Sequence, residues 1–134
     1  MAEAESKIEI EAISAVTFVT RKMRESVKFY SALGFSLARG DEESTFSTFR
    51  VGAQYLNLSV EPGEPTKSEG QASWGRIIFY VGDVDHIYAR AVRADLEPSF
   101  SPRNAIWGER YFHILDPDGN EVSFARRIST TTGK

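Results

Sequence analysis

Residues 29–35 read Phe29-Tyr30-Ser31-Ala32-Leu33-Gly34-Phe35, and two periodicities meet in this stretch. Upstream, Met23, Val27, Tyr30 and Leu33 recur at helical spacing on one face, with Thr20 as a candidate cap. Gly34 falls where a helix C-terminus takes a left-handed residue. Downstream of Phe35 the period changes to two, in short runs over 35–39, 45–51 and 55–60, broken by the turn-prone pairs Gly40-Asp41 and Gly52-Ala53. A β-branched, aromatic run over 13–20 precedes the helix. The predicted order is strand, helix and three strands.

Beyond residue 60 the segment 61–70 is rich in Pro, Gly and charge, as a surface linker is, and after it the order repeats. A strand is expected over 74–81. Val84, Ile87, Tyr88, Ala91 and Val92 then mark a helix with Asp83 as N-cap, and strands are expected over 96–100, 109–115 and 121–125. The last two are joined by Asp116-Pro117-Asp118-Gly119-Asn120, a tight-turn sequence. Val19 aligns with Val81, Met23 with Val84, Phe35 with Leu96, and 56–58 with 122–124, which points to a duplication. The expected organisation is a flexible tail over 1–12, one domain over 13–127 and a second tail over 128–134. The domain divides into a module over 13–60, a linker over 61–73 and a module over 74–127.

Composition narrows the function. At 134 residues, 41% hydrophobic and 26% charged, the chain suits one globular core. A net charge of −3 with scattered Lys and Arg lacks the basic excess of a nucleic-acid binder. With no cysteine, disulfides, thiolate nucleophiles and Cys-based zinc sites are excluded. The polar, acidic N-terminus is unlike a signal peptide and no apolar run reaches membrane-spanning length, so a cytoplasmic protein without a membrane partner is expected.

The Phe29–Phe35 helix exit, the Asp116–Asn120 hairpin and the repeated pattern together resemble the vicinal oxygen chelate superfamily. That superfamily contains glyoxalase I, extradiol dioxygenases, fosfomycin-resistance enzymes and bleomycin-resistance binding proteins. The resemblance covers about 13–127 and implies an α+β fold of paired βαβββ modules. Each module would be a curled mixed sheet with one helix behind it, and the pair would enclose a cavity. In catalytic members, inward His and Glu residues hold a divalent metal that polarises the substrate.

Carried over by the resemblance, the four ligand positions fall on Ser14, Asn57, Arg76 and Ser123. The serines and asparagine are neutral and the arginine repels cations, so no metal and no cofactor are expected. A one-residue slip brings in Ala15, Tyr55, Ile77 or Glu121, at most one further ligand.

Alternation along the strands separates helix-facing residues from cavity-facing ones. Ile77, Phe79 and Val81 pack while Trp74, Arg76, Ile78 and Tyr80 face the cavity; Leu56, Leu58 and Val60 pack while Tyr55, Asn57 and Ser59 face it. Phe112 and Ile114 pack opposite Tyr111 and His113, and Phe49 and Val51 opposite Phe46, Thr48 and Arg50. The open face is aromatic with a few polar tips, as small-molecule sites are. Candidate ligand contacts are Phe46, Thr48, Arg50, Tyr55, Asn57, Trp74, Arg76, Ile78, Trp107, Tyr111, His113 and Ser123.

Several residues carry two readings. Arg76 is a ligand clamp or half of an ion pair. Trp107 is a lid or an interface anchor. His113, with Tyr111, is an acid/base group or a structural histidine. Glu109 meets a cationic ligand or a surface partner, and His86 is expected on the surface. The 116–120 cluster lacks the further oxygens a calcium loop needs and is taken as a turn.

The resemblance therefore implies a homodimeric small-molecule binder, similar to the proteins that confer antibiotic resistance by sequestering a drug. Arg50 and Arg76 point to an anionic or aromatic ligand. The alternative is a lyase or dioxygenase of the superfamily acting on a small metabolite.

Overall fold

The computed structural model describes residues 9–60 and 75–128. Trp74, the whole of the expected linker and parts of both expected tails lie outside the described residues. The first module runs β1 (Ala15–Thr20), α1 (Met23–Leu33), β2 (Ser36–Arg39), β3 (Phe46–Val51) and β4 (Gln54–Val60). The second runs β5 (Arg76–Tyr80), α2 (Val84–Arg93), β6 (Arg103–Asn104), β7 (Glu109–Leu115) and β8 (Glu121–Arg127). The sheets have the orders β1-β4-β3-β2 and β5-β8-β7-β6. Each is mixed, with one parallel pair (β1 with β4, β5 with β8) and antiparallel neighbours otherwise. This is the paired βαβββ architecture.

Phe35, the last residue of the opening stretch, shows why that stretch matters. At α1's end Gly34 takes φ 109, and the Phe35 N–H bonds the Tyr30 carbonyl at 3.0 Å. A side chain with a Cβ seldom adopts that backbone geometry. The turn delivers the Phe35 ring between the modules, 5.2 Å from Tyr30 and 5.0 Å from Phe79, both edge-on. Burial of such rings contributes about 1.5–3 kcal/mol each, which makes this cluster a principal bond between the halves. Arg90 of α2 adds a polar link by donating to the Ala32 carbonyl at 3.0 Å, near the C-terminus of α1.

The Asp116–Asn120 hairpin forms a second bond between modules. Asp116 is buried; its Oδ1 accepts the N–H groups of Asp118 and Asn120, and its Oδ2 accepts the Tyr30 hydroxyl. Asp118 accepts the Thr20 hydroxyl at 2.5 Å, the Ser26 hydroxyl at 3.3 Å and the Arg21 N–H at 3.3 Å. Thr20 is thus not the N-cap itself. Lys22 holds that position without a side-chain capping bond, while Thr20 accepts the Lys22 N–H and relays to Asp118.

Two expectations are corrected. No strand forms over 96–100: Asp95 turns at φ 65 and Pro98 has no N–H for a ladder, so only the Ser99 N–H reaches β7, at the His113 carbonyl. The edge strand is Arg103–Asn104. Val92 is exposed, because Val84 and Ala91 carry the buried stripe of α2 with Ile87 and Tyr88 half-buried. Asp83 does cap α2, accepting the His86 N–H, and His86 is exposed. Among the described residues no helix is long and apolar enough to cross a membrane.

Candidate functional site

Register places the open-face residues. Directly opposed residues share a face, so β5, β8 and β7 present the rows Arg76–Glu121–Leu115, Ile78–Ser123–His113 and Tyr80–Ala125–Tyr111. The centre of this face is low because Ser123 and Ala125 are small, and the flanking side chains stand as walls. The result is a groove of about 260 Å³ bordered by Arg76, Ile78, Trp107, Glu109, Tyr111 and His113.

One end of the groove is a charged chain. Arg76 Nη1 donates to Glu121 Oε2 at 2.9 Å, and the same oxygen lies 3.5 Å from His113 Nε2. His113 Nδ1 lies 2.8 Å from the buried Ser123 hydroxyl. Burial lowers the His113 pKa from its ordinary 6.5; Glu121 opposes this, while Arg76 and Arg103 add to it. Neutral imidazole is the resting form at pH 7.

The other end is aromatic. Trp107 and Tyr111 rings lie 5.6 Å apart, and Trp107 Nε1 donates to Glu109 Oε1 at 3.2 Å. The Tyr80 hydroxyl donates to Glu109 Oε2, which raises the Tyr80 pKa. Trp107 is 65% exposed and Ile106 beside it 99%, an unusually bare apolar tip.

The first module builds a separate face. Thr48, Asn57 and Thr17 form one row: Thr48 Oγ1 donates to Asn57 Oδ1 at 2.8 Å, and Asn57 Nδ2 to Thr17 Oγ1 at 3.0 Å. This row corresponds to His113–Ser123–Ile78. Arg50 Nη1 donates to the Tyr55 hydroxyl at 3.4 Å. Phe46 sits at the rim, 43% exposed. A cleft of about 600 Å³ lies between β1 and β5, with Tyr55 and Arg76 both on its wall.

The structure therefore divides the candidate contacts. Thr48, Arg50, Tyr55 and Asn57 share one cleft, and Arg76, Ile78, Trp107, Tyr111, His113 and Ser123 share another. Trp74 lies outside the described residues. Ser14 precedes β1 with the parity of Val16 and Phe18, so the open-face position matching Arg76 is Ala15, opposite Tyr55. Arg39, Glu121 and Ala125 were not among the candidates. Alternation around Ser123 yields the last two; Arg39 needs the strand register.

Two mixed sheets, each backed by a helix and presenting an open face with a cleft, define a paired βαβββ domain. The sequence profile of the Glyoxalase/Bleomycin resistance protein/Dioxygenase superfamily matches residues 12–124, and the chain belongs to that superfamily. No curated protein matches the sequence significantly. Among solved structures, lactoylglutathione lyase from Agrobacterium tumefaciens is 20% identical over 89% of this chain and 96% of its own, with a TM-score of 0.68. TioX from Micromonospora sp. ML1 is 18% identical over 88% and 100%, TM-score 0.69. A glyoxalase/bleomycin resistance protein/dioxygenase from Nocardioides is 21% identical over 98% and 92%, TM-score 0.66. At these identities the likeness is one of fold.

Proposed function

We propose that this protein binds a small, largely aromatic molecule in the second module's groove, sequestering it without a divalent metal, as a homodimer in the cytoplasm. The relief of β8 carries the reading: Ser123 and Ala125 leave a trough between aromatic walls where larger side chains would have filled the curl. Trp107 and Tyr111 offer ring faces for stacking.

The side chains on this face do not fit a divalent cation. Arg76 already occupies the Glu121 carboxylate, and its fixed charge opposes an ion there. Ser123 is neutral, as is Asn57 on the first module's separate face, and among the described residues no three His, Cys, Asp or Glu side chains gather to hold a metal. Bare Ile78, Tyr80, Ile106 and Trp107 support a partner copy over the face.

Native mass spectrometry of protein purified without added metal or chelator tests this. A metal-free dimer, with or without an organic adduct, is the expected spectrum. One stoichiometric divalent metal per subunit sinks the metal-free reading.

His113 favours a second reading, an enzyme. Held between Ser123 and Glu121 and neutral at pH 7, it can accept a proton from a substrate in the groove, with Tyr111 beside it. Under this reading His113→Ala abolishes turnover while leaving ligand affinity nearly intact. Under simple sequestration no turnover exists to lose.

A further inference from the structure

The two open faces differ in charge, and the difference begins at an irregularity in β2. Ser36 opposes Arg50 and Leu37 opposes Phe49, but then the register shifts and Arg39 opposes Thr48. Had the pairing run on without that shift, Ala38 would oppose Thr48 and Arg39 would oppose Ser47, which is fully buried against the core. The bulge therefore re-aims Arg39 from the core side to the open face, onto the surface that holds Arg50.

These two guanidinium groups border a cleft of about 460 Å³ together with Ser14, Thr48, Tyr55 and Asn57, and among the described residues no acidic one lines it. Arg76, Arg24 and Arg110 each meet a carboxylate. Among the described residues Arg50 instead meets the neutral Tyr55 alone, donating to its hydroxyl and lying 5.5 Å from its ring centroid. Among the described residues Arg39 has no hydrogen-bond or ion-pair partner. The Tyr55 hydroxyl accepts from Arg50 and retains its own proton to donate.

We propose that this cleft on the first module is an oxyanion site that takes a small organic phosphate monoester or carboxylate. Arg39 and Arg50 clamp the oxyanion through their forked N–H groups and Tyr55 adds a third donor. The volume exceeds what a bare oxyanion needs and leaves room for the organic part. The site shares no lining residue with the aromatic groove and stands whether or not that groove binds a ligand.

NMR titration of the full chain, read at arginine Nε–Hε and at β2–β4 amides, tests the site with phenyl phosphate, benzoate and neutral phenol. Saturable shifts at Arg39 and Arg50 with either anion, and none with phenol, support the proposal; whichever anion binds tighter assigns the class. Arg39→Gln and Arg50→Gln should each weaken binding by about 10-fold or more, as loss of a charged hydrogen-bonding partner does. Trp107→Ala should leave it unchanged, which separates this site from the groove. Both arginines are exposed, so the variants are expected to fold, and unshifted core amides check it. No saturable shift, equal shifts with phenol, or shifts that survive in the double glutamine variant overturn the proposal.

Discussion

The hydroxyl of Tyr30 donates to Oδ2 of Asp116 at 2.7 Å, joining residues 86 positions apart. Tyr30 is fully buried on α1, and Asp116 is a buried carboxylate whose other partners are backbone and Asn120 donors of its own hairpin. Burial first, then Asp116, drive the tyrosine pKa far upward, so Tyr30 holds its proton as the donor of this bond.

Tyr30→Phe removes that donor and leaves Asp116 short of one partner without changing the ring packing. Urea denaturation should show a loss of about 1–3 kcal/mol, the cost of an unmet buried acceptor. A loss within error would mean that the hairpin relaxes freely and that the Tyr30–Asp116 bond adds nothing to the other links between the modules.

Gly40 sits at φ 81, and a Cβ there would lie 2.5 Å from the Phe46 carbonyl oxygen and 2.8 Å from the Ser47 Cα. Backbone cannot swing aside as a side chain can. Gly40→Ala should cost about 1–3 kcal/mol in strain. Gly52, also at positive φ but facing open space, should lose less on the same change. Equal melting temperatures for wild type and Gly40→Ala would contradict this.

His113 sets a pH dependence whose sign is fixed. Its folded pKa lies below the ordinary 6.5, so between the two values the unfolded chain binds more protons than the folded one. The stability it contributes is complete above about 6.5 and drains away as pH falls toward the folded pKa. Imidazole proton shifts followed against pH should give a midpoint below 6.5. Glu121→Gln, which removes the one carboxylate that opposes the shift, should lower that midpoint further; a rise would refute the role given to Glu121.

Arg110 grips Asp85 with two donors, Nε at 2.8 Å and Nη2 at 2.9 Å, and this lowers the Asp85 pKa. The pair is largely in water, so its geometry outstrips its energy. Arg110→Ala should cost only about 0.2–1 kcal/mol, shrinking with added salt. A larger, salt-insensitive loss in chemical denaturation would show that the Arg110 stem, not its charge, anchors β7 to α2.

Much of this was legible in the sequence because local patterns dictate it. Met23, Val27, Tyr30 and Leu33 lie on the buried face of α1 as their spacing requires, and Gly34 ends the helix as placed. Alternation sorted Phe49 from Thr48 and Phe112 from His113, since a strand with one buried face has no other way to sit. The second module's edge escaped. Leu96 and Phe100 look like strand residues but pack against the core from a loop, and two-residue β6 leaves no periodic trace. The Arg76–Glu121 pair depends on the parallel register of β5 with β8, and Arg39 on a bulge; both are decided by chain pairing that no single strand reveals.

Strand β8 carries Val122 and Phe124 on one side and Ser123 and Ala125 on the other. The first pair is fixed by the interlocked rings behind it. The second only sets the depth of the trough, so enlarging or shrinking either residue reshapes what the groove accepts without disturbing the packed layer beneath. Descendants of such a strand can therefore change their preferred ligand through two positions while inheriting the fold intact, and laboratory libraries aimed at new ligands should begin at 123 and 125.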